Sequence, residues 1–203
     1  MTGAHPLVRA IAAAKASGEI LPLPSGQLRA LDAATLGRPG LARTLADWRA
    51  ANLRPFLKLF TSTEDGARHW AEGLIAAEDR ILFLVECDGQ TVGHLGLGDF
   101  GRGFEICDIL RGEPAPPGLM AEGLSCLIAW ARRSGLDRIV LHVAADETPA
   151  LRLYHRLGFV PTALIPLRKD ERADETSWSE TQNPDDCWDR FFLRMELPAD
   201  DSR

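Results

Sequence analysis

Tyrosine occurs once in this chain, methionine three times and cysteine four times. The cysteines, Cys87, Cys107, Cys126 and Cys187, are far apart and form no CxxC pair, so no zinc site is expected and no metal is assigned. Three of them sit in apolar runs, as small core residues of a reducing compartment do. Basic charge is also short. Against 29 Asp+Glu there are 23 Lys+Arg, a formal net charge of −6, which excludes the basic footprint of a nucleic-acid binder. An acidic surface mildly favours neutral or cationic acceptors such as amines. Long apolar runs are missing too, none approaching the roughly 20 residues of a bilayer span. Lys15 and Glu19 interrupt the Ala-rich start, which makes a poor signal peptide. A cytoplasmic protein without a membrane partner is expected.

What is present is an ordinary globular composition, in 203 residues that suit one core, or one domain with an extension. No internal repeat is visible. Residues 5–17 read as a short helix, Pro22 to Gly26 as a breaker cluster, and 26–33 as a first strand or short helix. Gly37 to Gly40 breaks the chain again, so residues 1–40 are set apart as an N-terminal extension to a domain over 41–203. Leu41 to Leu53 has a helical stripe. Phe56 to Phe60 reads as loop or strand, and Thr63 caps a helix that runs to about Ala77.

An antiparallel meander follows. Ile81 to Cys87 is a strand, Asp88-Gly89 a two-residue hairpin turn, Thr91 to Leu97 the return and Phe104 to Leu110 a third strand. The pattern then changes. Pro116, Pro117 and Gly118 open a helix to Ser134, ended by Gly135. Arg138 to Ala144 is a strand, with Ile139, Leu141 and Val143 alternating against Val140 and His142. Thr148-Pro149 opens a helix with Thr148 as cap, and Gly158 closes it. Val160 to Leu167 and Phe191 to Leu197 are strands, and the acidic stretch 169–190 reads as a long mobile loop. The fold class is α/β: one mixed sheet flanked by helices, with a parallel crossover near the C-terminus.

Two constellations carry chemistry. At 113–121 the amides of Gly118, Leu119, Met120 and Ala121 converge at a helix N-terminus, where unpaired donors and the helix dipole bind anions. In the stretch TPALRLYHRLGF, the lone Tyr154 sits on a short helix after a strand and can project its hydroxyl into a cleft.

The helix opening Gly118-Leu-Met-Ala-Glu-Gly-Leu124 and the block Ala150-Leu-Arg-Leu153-Tyr154-His-Arg156-Leu-Gly158-Phe159, in register behind the meander, resemble the GNAT N-acetyltransferase superfamily. Within it they resemble the branch that acetylates ribosomal-protein N-termini. The resemblance covers about residues 41–165 and implies a central mixed sheet flanked by helices. It implies acetyl-CoA as co-substrate, running past Ile109, Leu110 and Arg111. The diphosphate would rest on Gly118, Leu119, Met120 and Ala121, with further contacts from Glu147, Ala150 and Arg156. Two positions depart from the family pattern. Ala115 replaces a basic or Gln residue in the diphosphate loop, and Glu147 replaces an asparagine after the strand. An arginine (Arg111, Arg152 or Arg156) can supply the missing charge.

The implied reaction is direct attack of an acceptor amine on the thioester, with a backbone N–H in Cys107 to Leu110 polarising the carbonyl. Tyr154 is the implied general acid to the CoA sulfur. Glu105 or Asp108 is the base; they are three positions apart and point to opposite faces unless a bulge intervenes. His94 and Asp99 are acceptor-side alternatives acting through a water, and His142 reads as structural. The 169–190 stretch, with its acids and Trp178 and Trp188, borders the acceptor side. A small-molecule amine, an amino sugar among them, is the expected acceptor; a protein N-terminus or lysine and a non-catalytic acyl-CoA-binding module are the alternatives. A homodimer is a further expectation.

Overall fold

The computed structural model describes residues 5–53, 56–173, 175–183, 186 and 188–199. Ten strands form one sheet: β1 (Ile20–Leu23), β2 (Gly26–Ala30), β3 (Lys58–Leu59), β4 (Arg80–Cys87), β5 (Gln90–Asp99), β6 (Phe104–Arg111), β7 (Ile139–Ala144), β8 (Val160–Glu171), β9 (Thr176–Glu180) and β10 (Trp188–Leu197). Their order is β1-β2-β4-β5-β6-β7-β10-β8-β9-β3. Every pairing is antiparallel except β6 with β7. Among the described residues six helices accompany them: α1 (Pro6–Ser17), α2 (Ala33–Leu36), α3 (Leu41–Ala51), α4 (Glu64–Ala76), α5 (Leu119–Arg133) and α6 (Thr148–Arg156). None is long and apolar enough to cross a membrane among the described residues.

Alternation along the strands assigns the two faces. Ile81, Phe83, Leu95, Leu97, Ile106, Leu141 and Val143 pack with α1, α5 and α6 in the larger apolar cluster. Leu82, Leu84 and Leu110 pack on the other face with α3 and α4 in the second. α5 approaches so closely at Gly123 that a Cβ there would meet Leu95 Cδ1 at 2.9 Å. Asp88 and Gly89 both take positive φ, 50° and 76°, as the expected type I′ hairpin requires. Thr63 accepts from the Gly66 amide at 3.1 Å and caps α4 as its sequence indicates. At the other end of α4, Lys15 of α1 donates to the carbonyls of Leu74 (2.6 Å) and Ala77 (2.5 Å), so a cation closes the negative helix end. Residues 5–36 thus bring a helix, a hairpin and a helical turn to the same sheet.

Three readings of the sequence change. The Pro22–Gly26 breaker cluster holds β1 and a tight turn; Pro22 is tolerated because β1 is an edge strand. Thr148 does not cap α6: Glu147 occupies that position, no side chain caps the helix, and Thr148 and Pro149 are its first residues. Much of the described part of the 169–190 stretch is strand. β8 runs on to Glu171, β9 pairs back along it, and β10 begins at Trp188. Its acids are engaged: Glu171 with Lys169, Glu175 with Lys58, Glu180 with Arg102 and Asp186 with Thr181. Asp174, Asp185 and Cys187 lie outside the described residues.

Candidate active site at a split in the sheet

Parallel strands β6 and β7 pair at only two positions, Glu105 with Val140 and Ile106 with Leu141. Beyond them the strands part. The cause lies in β6. Opposite β5, His94 to Gly96 is two steps while Cys107 to Leu110 is three, so one residue of β6 is extra. Asp108 takes φ 48° there. This bulge turns the end of β6 away from β7 and leaves its β7-facing backbone groups without a ladder partner. The opening lies at the carboxyl ends of two parallel strands, next to the N-termini of α5 and α6, where sheets of this kind take ligands.

The bulge also settles the facing of the acids. Glu105, Cys107 and Asp108 all lie on the α3–α4 face. Asp108 accepts from Arg80 (3.1 Å) and from the Cys107 thiol (3.3 Å). Arg80 reaches across Gly98, where a Cβ would stand 2.9 Å from its Cγ. Burial pushes the Cys107 thiol well up, helped by the Asp108 charge, so it is a poor nucleophile. Burial would raise the Glu105 carboxyl, but hydrogen bonds and charge from His142 and Arg102 outweigh it and the net direction is down. Glu105 accepts from Arg102 and from His142 Nδ1, both at 2.7 Å.

The remaining expected residues scatter. His94 is buried against the Trp48 and Trp70 rings and donates from Nδ1 to the Asp108 carbonyl at 2.5 Å. It supports the bulge from beneath. Asp99 accepts from the amides of Gly101 (2.8 Å) and Gly103 (3.2 Å) and shapes the β5–β6 turn. Tyr154 is buried on the opposite face, in the cluster that holds Ile106, Leu141 and Val143 and against which Ile109 packs. Its ring meets Phe159 edge-on, and its hydroxyl makes no hydrogen bond among the described residues. Burial and the Glu147 charge push its ionisation up, so it stays a phenol.

At α5, Gly118 is the left-handed N-cap with φ 94° and no side-chain cap. The Leu119 amide is spent on the Pro116 carbonyl at 3.2 Å. The amides of Gly118, Met120 and Ala121 find no acceptor among the described residues. Leu110 is buried in the α3–α4 cluster, so only its backbone is offered to the split. Arg111, Arg152 and Arg156 are exposed and form no ion pair among the described residues, while Glu147 and Ala150 are half-buried beside α6. No group of three metal-ligating side chains exists among the described residues.

β9, which the sequence reads as loop, meets β3, which it reads as loop or strand. Leu57, Trp178 and Phe192 form a small apolar cluster. β3 pairs with β9, and the Trp178 amide donates to the Leu57 carbonyl at 2.8 Å, so the segment between α3 and α4 is strapped to the C-terminal hairpin. The sequence reads His142 as structural, although its alternation with Leu141 and Val143 puts it on the face opposite theirs. Arg80 and Arg102 carried no local signal. A shallow groove of about 640 Å³ between α1, α2 and α4 shares no lining residue with the split.

Residues 45–159 match the model of the acetyltransferase (GNAT) family. The chain belongs to that family. It is 29% identical over 170 residues to a mycothiol acetyltransferase of Brachybacterium faecium, covering 76% of this chain but 50% of that protein. The chain therefore spans about half the length of that curated relative. Among solved structures, an acetyltransferase of Salmonella typhimurium that modifies the N-terminal serine of the 50S subunit protein L7/L12 superposes with TM-score 0.66. It is 18% identical, with 90% of this chain and 100% of that one covered. A second Salmonella typhimurium protein, the putative acetyltransferase yncA with acetyl-CoA bound, gives TM-score 0.60 at 20% identity, over 86% of this chain and 94% of that one. At these identities the agreement speaks for the fold.

Proposed function

We propose that the protein transfers the acetyl group of acetyl-CoA to a primary amine of a small molecule. The observation that carries this reading is the split itself: two parallel strands that stop pairing after two positions, beside a helix N-terminus with three free amides. A pantetheine arm fits an opening lined by unpaired strand backbone, as an added strand does. The Gly118, Met120 and Ala121 amides suit the diphosphate, and the exposed Arg111, Arg152 and Arg156 supply the charge that Ala115 does not.

In this reading, groups on both faces of the sheet serve the split. Glu105, Asp108 and His142 come from the α3–α4 face, and Tyr154 from the other. The amine enters on the first and attacks the thioester carbon. An unpaired N–H of β6 polarises the carbonyl, and Tyr154, kept protonated by burial, donates a hydrogen bond to the departing thiolate. The β3–β9 strap favours a small acceptor over a polypeptide, because it crosses the side by which a peptide would enter. The curated relative is named for mycothiol and not for a protein, which supports the same class.

Thiol release from acetyl-CoA with a panel of polyamines, amino acids, amino sugars, amino-sugar thiols and ribosomal N-terminal peptides tests the reading. Turnover confined to small amines is expected. Turnover of peptides alone overturns the acceptor class, and acetyl-CoA binding without turnover overturns the transferase.

A further inference from the structure

His142 lies at the heart of the split and is more than core packing. Its Nδ1 stands 2.7 Å from Glu105 Oε2. An ionised carboxylate only accepts, so Nδ1 carries the hydrogen, and whenever the ring is neutral Nε2 is a bare acceptor. That Nε2 is buried and has no hydrogen-bond partner among the described residues. The side chain is 6% exposed. A buried acceptor without a donor costs free energy that a native fold rarely leaves uncompensated. A donor brought by the acceptor substrate, an amine N–H, meets that need.

The surroundings agree. Glu105 is held as an anion by Arg102, whose second nitrogen reaches Glu180 of β9 at 2.7 Å. A carboxylate so engaged is a weak proton acceptor but a good partner for an imidazolium. From β10, the Phe192 ring lies 6.3 Å from the His142 ring, and Arg194 stands directly across with its guanidinium turned to Thr162 and Glu196. On β6, Asp108 is committed to Arg80.

Resting on the transferase reading, we infer that His142 is the general base and that Glu105 is the residue that positions it. His142 Nε2 takes one proton from the acceptor ammonium. The freed lone pair forms the N–C bond to the thioester carbonyl carbon, and the C–S bond breaks with its electron pair on sulfur. The nitrogen gives up two protons in all: one passes through His142 to solvent, the other ends on the sulfur. The products are the amide and free CoA thiol.

The test compares unaltered protein, His142→Gln and Glu105→Gln in pH profiles of kcat/KM, using two amines of different basicity so that the amine's own ionisation is told apart. For His142→Gln we expect kcat to fall about 10²–10⁴-fold, the range of a lost general base. The KM for acetyl-CoA should stay within about twofold and the acid limb should vanish. For Glu105→Gln we expect a smaller loss and an acid limb moved to lower pH, because the imidazolium has lost its anion. A His142→Gln protein with unaltered kcat and acid limb overturns the inference. Should that variant fail to fold, ¹⁵N NMR of the unaltered protein decides: the His142 ring must titrate where the acid limb lies, and a mismatch overturns it. No turnover of any amine by unaltered protein overturns the transferase reading itself, and this assignment with it.

Discussion

His94 Nδ1 donates at 2.5 Å to the carbonyl oxygen of Asp108, the residue whose φ of 48° makes the bulge in β6. A buried ring on β5 thus holds open the gap between β6 and β7. His94→Phe fills the space but leaves that carbonyl unpaired. We expect a loss of about 1–3 kcal/mol in urea unfolding, together with a raised KM for acetyl-CoA.

The same histidine gives stability a pH dependence. Burial lowers its pKa below the ordinary 6.5, outweighing the pull of the Asp108 charge. The native state therefore binds fewer protons than the unfolded chain below that value. This contribution is complete above pH 6.5 and is lost as pH falls toward the folded pKa. Urea midpoints between about pH 7.5 and 5 should fall for the unaltered protein and stay flatter for His94→Phe.

Glu86 acts lower on the pH scale. Its buried carboxylate accepts from Gln27 (2.7 Å), Arg29 (2.9 Å) and Arg38 (2.5 Å). Burial alone would raise its pKa, but these bonds and the Arg29 charge bring it below the ordinary 4.5. Its contribution is present above pH 4.5 and is lost as pH falls below it. Glu86→Ala at neutral pH should cost about 2–4 kcal/mol, the lower figure reflecting the partly exposed Arg38.

Tyr154→Phe removes the hydroxyl and keeps the ring against Phe159. Turnover should drop about 10²-fold or more, while acetyl-CoA affinity by calorimetry stays within about twofold. Undiminished turnover would remove Tyr154 from the reaction.

Two glycines should fail for different reasons. A Cβ at Gly118 meets nothing within 4 Å, but φ is 94°. Gly118→Ala should cost about 1–2 kcal/mol from the left-handed conformation and raise the KM for acetyl-CoA. At Gly112 a Cβ would fall 1.9 Å from the Trp48 ring. Gly112→Ala should cost about 1–3 kcal/mol by overpacking, seen as a lower melting temperature.

Local chemistry made much of the fold legible. Asp88-Gly89 announces its turn, Thr63 its helix, and Gly118, Gly135 and Gly158 the helix boundaries, because each effect acts within a few residues. The bulge was not legible, since an aspartate in a left-handed conformation leaves no mark on its neighbours. Nor were β8's extension and β9, whose acids imitate a solvated loop until their partners Lys58 and Arg102 arrive from distant segments. Glu105 and His142 are 37 residues apart and meet only through the two β6–β7 pairs. Tyr154 lies in a motif, whereas His142 lies in none.

The sheet has a mechanical property that follows from β3. Lys58 and Leu59 leave the half that carries α3 and α4 and join the far edge of the other half, at Ser177 and Thr176. The two halves are therefore hinged at Glu105 and Ile106 and clasped again at the opposite side of the gap. Each fastening is two residue pairs long. The width of the opening is then set as much by the β3–β9 pairs as by the β6–β7 pairs. A change at Lys58 or Leu59 therefore acts on the gap from its far side, while the pairing of Glu105 and Ile106 stays as it is.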